Sequence, residues 1–250
     1  MFNYLRNLRH SSFASKSFPW EVLGRIYRLG INILPFNFTI EQLITHKYKF
    51  KLHAQFAFSN FKEWGNKHNN FFPVYINLAK NSKCFFDVGA HVGLWSRPMI
   101  RRANTKYIWA FEPNNSVREC YVLNMGGFDN YSIYPVALGH KNMKGFLNVE
   151  TDNSGNTNIH PTKSGNTEIR TLDSFNFEHL DYIKVDVEGF EYNFLQGAVD
   201  TLNRCRPFVH LEMKSKNMRN SKDDFYRFMK NIGYSQVMKI GAEVLYDYNT

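Results

Sequence analysis

Apolar and polar positions along the chain follow two different patterns that meet near residue 80. From residue 83 onward, short apolar runs alternate with segments of helical periodicity, and glycine or polar turns separate them. Strands that alternate with helices favour right-handed crossovers and a mostly parallel sheet. Residues 1–80 lack this regularity, so we predict an α/β domain preceded by a different segment.

The regular part predicts seven strands and four helices. Five apolar runs predict strands at residues 84–88, 107–111, 131–138, 182–188 and 208–213. The last two, 234–240 and 243–248, flank Gly241-Ala242 and predict a closing antiparallel hairpin. Helices are predicted at 94–102, 116–125, 191–202 and 223–231. Two further runs predict an antiparallel excursion around a turn-rich loop, either a mobile lid or a plain connection, at 145–150 and 167–172.

The first 80 residues predict a basic N-terminal extension that is distinct from a domain at 81–250. Residues 48–56 alternate apolar and polar side chains, which predicts a half-exposed strand with basic residues on its outer face. Apolar spacing predicts short helical pieces at 21–29, 61–64 and 74–78.

Net charge is concentrated in this extension. The whole chain has 31 Lys and Arg against 22 Asp and Glu, a net charge of +9. Residues 1–80 contribute 11 against 3, or +8, and residues 81–250 contribute 20 against 19, or +1. A localised basic region suits an anionic partner such as a nucleotide sugar, a phosphorylated glycan, a nucleic acid or a membrane surface. A solvated face without a partner explains the same charge equally well.

Cysteine usage and hydropathy predict a cytoplasmic protein without a membrane span. The chain has 3 cysteines and no Cys-x-x-Cys pair, which argues against a disulfide framework and a zinc site. It has no run of about 18 apolar residues, and its N-terminus lacks the apolar stretch of a secretory signal.

A glycine-rich turn joins the first regular strand to the first regular helix. Its sequence runs Asp87-Val-Gly89-Ala90-His91-Val-Gly93, and ligands of open α/β sheets bind at such carboxyl ends of strands. The glycine spacing is Gly-x-x-x-Gly, unlike the Gly-x-Gly-x-x-Gly of dinucleotide sites. A carboxylate beside a pyrophosphate is unfavourable, whereas Asp87 suits the amino group and sulfonium of S-adenosylmethionine. The alternative is a turn that only packs helix on sheet.

Glu112 ends the next strand, about 20 residues beyond the turn, where a carboxylate accepts hydrogen bonds from ribose hydroxyls. Phe111 and Pro113 flank Glu112 within reach of an adenine ring. Glu112 and the glycine turn together therefore predict a nucleoside site.

Two later strands carry charged residues at positions that share a face. Period-two alternation aligns Lys184, Asp186 and Glu188, and likewise His210 and Glu212. Charges on a central strand are costly to bury without partners or a function. These residues are candidates for a general base or metal ligands. A structural ion pair of Lys184, a core histidine and a strand-terminal acid are the alternatives.

Together these motifs resemble the FkbM family of S-adenosylmethionine-dependent methyltransferases over residues 84–212. The motifs that carry the resemblance are Phe86-Asp-Val-Gly-Ala-His-Val-Gly, Ala110-Phe-Glu-Pro, Val136-Ala-Leu-Gly, Arg170-Thr-Leu-Asp-Ser-Phe, Ile183-Lys-Val-Asp-Val-Glu-Gly-Phe-Glu, Leu195-Gln-Gly-Ala and Leu211-Glu. The resemblance implies a Rossmann-like class I methyltransferase fold and O-methylation of a hydroxyl on a sugar or natural product.

The resemblance also implies roles for individual residues. Asp87, Gly89, Ala90 and Gly93 line the cofactor, Glu112 holds the ribose, and Val136-Ala137 border the adenine. His91 departs from the family, which usually has asparagine there. Because histidine titrates near neutral pH, we expect cofactor binding through His91 to depend on pH.

Methyl transfer to a hydroxyl requires a positioned acceptor and benefits from a general base. We rank Asp186 first as the base, Glu212 and Glu188 next, and His210 last. Neighbouring carboxylates that bind a divalent cation are the alternative. We expect a sugar, glycan or nucleotide-sugar acceptor and do not expect nucleic acid.

Two other functions compete with this prediction. A nicotinamide-dependent oxidoreductase would require the dinucleotide glycine spacing that the turn lacks. A catalytically inactive module that binds an anionic glycan or nucleic acid through the basic extension would bind in a salt-sensitive manner and without cofactor.

Overall fold

A seven-stranded sheet forms the centre of the molecule. The computed structural model describes residues 26, 30–31, 38–43, 49–54, 56, 72–102, 105–148, 158–162, 164–214 and 220–249. The strands are β1 (Thr39–Leu43), β2 (Lys49–His53), β3 (Cys84–Val88), β4 (Tyr107–Phe111), β5 (Tyr131–Tyr134), β6 (Ala137–Leu138), β7 (Met143–Asn148), β8 (Asn158–Pro161), β9 (Thr167–Arg170), β10 (Tyr182–Val185), β11 (Phe208–Glu212), β12 (Tyr234–Ile240) and β13 (Glu243–Tyr248).

The order of the central sheet is β12-β13-β11-β10-β3-β4-β5. Neighbours from β11 to β5 are parallel, and β13 is antiparallel to both β11 and β12. This confirms the predicted mostly parallel sheet with a C-terminal antiparallel hairpin, the class I methyltransferase architecture.

Helices cover both faces of this sheet. They are α1 (72–78), α2 (Ser96–Arg102), α3 (Asn115–Met125), α4 (Glu191–Gln196), α5 (Val199–Cys205) and α6 (Lys222–Asn231), with short 3-10 turns at Ala79–Asn81 and Asp173–Phe175. Side chains of α1, α2 and α3 pack against one face, and those of α4, α5 and α6 against the other. None of the helices in the described ranges is long and apolar enough to cross a membrane.

Two predicted elements are broken in the structure. The strand predicted at 131–138 ends at Tyr134, because Pro135 has no backbone N–H to donate, and the chain continues as β6 in a separate four-stranded sheet. The helix predicted at 191–202 divides at Gly197, where an added Cβ would lie 2.0 Å from the carbonyl oxygen of Gly139. Asp173 then caps α5 by accepting hydrogen bonds from its first-turn amides.

The hairpin of β1 and β2 packs on α3 and on the glycine-rich turn. Phe50 and Leu52 are buried there, while Lys49 and Lys51 of the same strand are exposed, which agrees with the predicted alternation. The Asn124 side chain bonds both backbone groups of Lys51 and the carbonyl oxygen of Val92. Most of the helical pieces predicted at 21–29 and 61–64 lie outside the described residues.

Candidate active site

The glycine-rich turn is hydrogen-bonded to the last residue of β4. The backbone N–H groups of Gly89 and Ala90 both donate to the carbonyl oxygen of Phe111, at 3.0 and 3.1 Å. Gly89 has a φ of +79°, and a Cβ added there would lie 1.9 Å from the carbonyl oxygen of Asp186. The turn therefore touches the segment that follows β10, at a distance that only glycine permits.

The turn contains two further residues in the left-handed region. His91 has a φ of +50° and Gly93 a φ of +88°. Histidine, like asparagine, is enriched among non-glycine residues in this region, so His91 is suited to this backbone conformation. The His91 N–H donates to Glu112 Oε2 at 3.0 Å, which ties the turn to the end of the next strand.

Asp87 is almost fully buried at the base of the turn. Its Oδ2 atom accepts hydrogen bonds from the backbone N–H of Ser96 at 3.1 Å and from the Ser96 hydroxyl at 2.5 Å. These bonds hold the first turn of α2 against β3. Burial raises the pKa of Asp87 to about 6, although the Ser96 bonds act to lower it. A cationic group nearby would stabilise the ionised carboxylate.

Glu112 has a similar environment one strand away. Its Oε1 accepts from the Asn114 N–H at 2.9 Å, and it is 6% exposed. Burial raises the pKa of Glu112 to about 7, opposed by its two backbone hydrogen bonds. A carboxylate with two backbone donors retains lone pairs that can accept from hydroxyl groups.

The remaining predicted cofactor residues occupy different positions. The ring of Phe111 lies in the core, stacked on Tyr134 with 5.2 Å between ring centroids. Phe111 therefore contacts the turn through its carbonyl oxygen, which accepts the hydrogen bonds from Gly89 and Ala90. Val136 is buried and Ala137 half-buried, just after the proline that ends β5.

Three predicted carboxylates come together past the ends of β10 and β11. Oxygen atoms of Asp186, Glu188 and Glu212 lie within 4.8 Å of one another. Glu188 adopts a left-handed backbone with a φ of +50°. Burial, followed by the charge and hydrogen bond of Asp186, raises the pKa of Glu212 to about 10. Glu212 therefore holds its proton to a higher pH than an exposed carboxyl group does.

Lys214 lies among these carboxylates and was not predicted as a site residue. Its Nζ atom lies 2.7 Å from Glu212 Oε2 and 3.1 Å from Glu188 Oε1. Burial acts to lower the pKa of Lys214, but the carboxylates outweigh it and raise the pKa well above its usual value. Lys214 continues the period-two spacing of His210 and Glu212, which is the sequence signal that points to it.

Glu191 is a second residue that the sequence-based site list omitted. Its Oε1 atom accepts hydrogen bonds from the backbone N–H groups of Val187 at 3.2 Å and Gly189 at 3.1 Å. Glu191 is buried, and burial raises its pKa to about 7. Its carboxyl group thereby fixes the turn that carries Asp186 and Glu188.

Lys184 and His210 belong to a separate polar network inside the sheet. Glu243 Oε2 lies 3.2 Å from Lys184 Nζ and 2.8 Å from His210 Nε2. Tyr182 bonds His210 Nδ1 at 3.0 Å, and Tyr75 stacks on the His210 ring at 4.0 Å.

The charges of this network are set by burial and by close pairing. Burial lowers the pKa of His210 to about 4, so His210 is neutral. Burial acts to raise the pKa of Glu243, but Lys184 and His210 bring it to about 2. The network is closed to solvent, and the structure does not bring His210 into the cluster of Asp186, Glu188 and Glu212.

Sequence comparison decides the family. Residues 87–235 match the sequence model of a protein family that is described as Methyltransferase FkbM domain. The match covers more than half of the 250-residue chain. The chain belongs to the FkbM methyltransferase family. The match confirms the predicted FkbM methyltransferase domain. Among proteins with curated functions, none matches the sequence significantly.

Solved structures with a similar fold share little sequence with the FkbM protein. The FkbM methyltransferase of Methylobacillus flagellatus KT is 15% identical, with a TM-score of 0.47 over 76% of this chain and 54% of that one, so the chain spans about half of that protein. M. jannaschii TYW2 in complex with AdoMet is 11% identical, with a TM-score of 0.49 over 86% and 89%.

The magnesium protoporphyrin IX methyltransferase of Synechocystis PCC 6803 is 8% identical, with a TM-score of 0.49 over 76% and 83% of the two chains. Because these TM-scores are below 0.5, the family assignment rests on the sequence match.

Proposed function

We propose that this FkbM protein is an O-methyltransferase that acts on a hydroxyl group of a sugar, a glycan or a related small molecule. One observation carries the proposal: the glycine turn and the Asp186 carbonyl oxygen are so close that a Cβ on Gly89 would lie 1.9 Å away. A cofactor held by the turn therefore lies next to the cluster of Asp186, Glu188 and Glu212, where an acceptor hydroxyl can be deprotonated.

The residues present fit S-adenosylmethionine. The turn formed by Gly89, Ala90, His91 and Gly93 offers close backbone approach, since two of its glycines have positive φ. Asp87 supplies negative charge at its base, and we assign Glu112 to the ribose hydroxyls. We place the adenine beside Val136 and Ala137, with Phe111 contributing its backbone only. When bound, S-adenosylmethionine supplies the activated methyl group.

Asp186 is our first choice for the general base. Its backbone carbonyl oxygen lies against the glycine-rich turn, and its side chain lies in the cluster with Glu188 and Glu212. Glu212 and Glu188 follow as the other two members of the cluster. His210 comes last because its ring is buried in the Glu243 network. The proton of the acceptor hydroxyl thus passes to Asp186.

Calorimetry with S-adenosylmethionine on the wild type and on Asp87→Ala tests the cofactor site. We expect micromolar binding in the wild type, an affinity of about −8 kcal/mol, and its loss in Asp87→Ala. Ser132→Ala, on β5 away from the turn, is the matched control and retains binding. A folded wild type that does not bind would favour the inactive binding module.

Transfer of radiolabelled methyl groups tests the acceptor class. Free sugars, nucleotide sugars, glycans and RNA are supplied in parallel with labelled cofactor. Label on a sugar hydroxyl, lost in Asp186→Asn but with cofactor binding retained, supports the proposal. Label on RNA alone would contradict it.

We retain the division into a basic extension at 1–80 and a catalytic domain at 81–250 as a proposal. Within the extension, α1 contributes Phe72, Tyr75 and Ile76 to the core beside β3. We also propose the cytoplasm as the compartment, and the three free thiols of Cys84, Cys120 and Cys205 support it.

A further inference from the structure

The carboxylate group formed by Asp186, Glu188 and Glu212 lies beside the glycine-rich turn and contacts the ammonium group of Lys214. Three carboxylates with oxygen atoms within 4.8 Å of one another have the spacing of a divalent-cation site. Lys214 Nζ contacts two of them, at 2.7 Å from Glu212 and 3.1 Å from Glu188. An ammonium group and a metal ion would compete for the same oxygen atoms.

The backbone on both sides of these contacts is held in place. The Met213 N–H donates to the carbonyl oxygen of Ala242 at 2.7 Å, which anchors the chain one residue before Lys214. On the other side, Glu188 lies in the left-handed region, which costs a non-glycine residue about 1 kcal/mol. Two amide hydrogen bonds to Glu191 hold that conformation.

The burial of the partners makes the cation necessary. The side chains of Glu188 and Glu212 are 15% and 7% exposed, whereas that of Lys214 is 42% exposed. Clustered carboxylates that are removed from water need a counter-charge. Lys214 supplies it, since its ammonium group contacts both Glu188 and Glu212.

We propose that Lys214 is a positioning residue that fills the cation position of this carboxylate group, where metal-dependent enzymes hold a divalent ion. Its ammonium group holds Glu212 and Glu188 in place beside Asp186. The inference rests on the proposed function only in placing the acceptor here, and its test needs neither cofactor nor acceptor.

Titration with Mn²⁺, followed by electron paramagnetic resonance, tests this role. We expect Lys214→Ala to bind one Mn²⁺ about tenfold or more tightly than the wild type, because three carboxylates then lack their cation. Lys214→Arg keeps the charge and should gain no site.

A matched pair of second substitutions locates the new ion. In the Lys214→Ala background, Glu188→Gln should abolish Mn²⁺ binding. Glu168→Gln, which changes an exposed carboxylate on β9, should leave it intact. Circular dichroism on each variant establishes that the fold persists.

Two results would overturn the inference. One is a wild type that binds Mn²⁺ as tightly as Lys214→Ala and loses it with Glu188→Gln, since a metal would then be the resident cation. The other is a folded Lys214→Ala that gains no Mn²⁺ site. Failure of the wild type to bind S-adenosylmethionine would instead count against the proposed function alone.

Discussion

Replacing Gly89 by alanine places a methyl group where the glycine-rich turn contacts the segment after β10. The new Cβ would lie 1.9 Å from the Asp186 carbonyl oxygen, and real Cβ contacts essentially never fall below 3.0 Å. The two segments must therefore separate by at least 1.1 Å, the difference between these distances. Because the obstructing atom belongs to the backbone, no side-chain rotation relieves the contact.

The expected cost follows from that displacement. A misplacement of about 1 Å costs an enzyme about 100-fold in rate. We take the same factor, about 2.7 kcal/mol, for the loss of cofactor affinity. We expect calorimetry to show S-adenosylmethionine affinity reduced by about this factor in Gly89→Ala. The left-handed φ of +79° adds a loss of folding stability of about 1–2 kcal/mol, measured by urea unfolding.

Gly127→Ala separates these two effects. Gly127 has a φ of +91°, but an added Cβ there meets no atom within 4 Å. This variant should show the same loss of about 1–2 kcal/mol in stability and unchanged cofactor affinity. If folded Gly89→Ala binds S-adenosylmethionine within about threefold of Gly127→Ala, the close contact does not control the cofactor site.

Two further predictions concern buried carboxylates. Glu243→Ala should lower the free energy of unfolding by about 3–5 kcal/mol in urea titrations, because it leaves the Lys184 charge buried without its carboxylate; a loss under about 1 kcal/mol would contradict this. Glu191→Gln keeps an oxygen for its two amide donors and removes a group whose pKa folding raises from 4.5 to about 7. Wild-type stability from this group is complete below pH 4.5 and is lost as the pH rises through about 7. Glu191→Gln should therefore match the wild type at about pH 4 and exceed its stability by up to about 3 kcal/mol at pH 8. Equal pH dependence of unfolding in the two proteins would count against the assignment.

Much of the fold was predictable because it depends on local patterns. The apolar runs, the glycine turn and the closing hairpin are each visible within about ten residues, and right-handed crossovers then order the strands. The meeting of Asp186 with Glu212 also followed from sequence, since carboxyl ends of adjacent parallel strands share one edge of the sheet.

The broken elements were not predictable in the same way. The division of the helix at Gly197 depends on the backbone of Gly139, which lies 58 positions earlier in the chain and approaches within 2.0 Å of an added Cβ. The end of the strand that begins at residue 131 did have a signal in the sequence, namely Pro135, which interrupts strand pairing. The apolar residues on both sides of Pro135 concealed this signal.

By itself, the sequence determined the order of the elements, the glycine-rich turn and which carboxylates lie at the carboxyl ends of β10 and β11. Only the tertiary structure decided how those charges are partnered. Lys184 pairs with Glu243, 59 positions away, because β13 returns antiparallel beside β11. Lys214 follows Glu212 along the chain, but its contact with Glu188 depends on the parallel pairing of β10 with β11. The protonation of a buried group depends on desolvation and on neighbours from other strands, and periodicity along one strand contains neither.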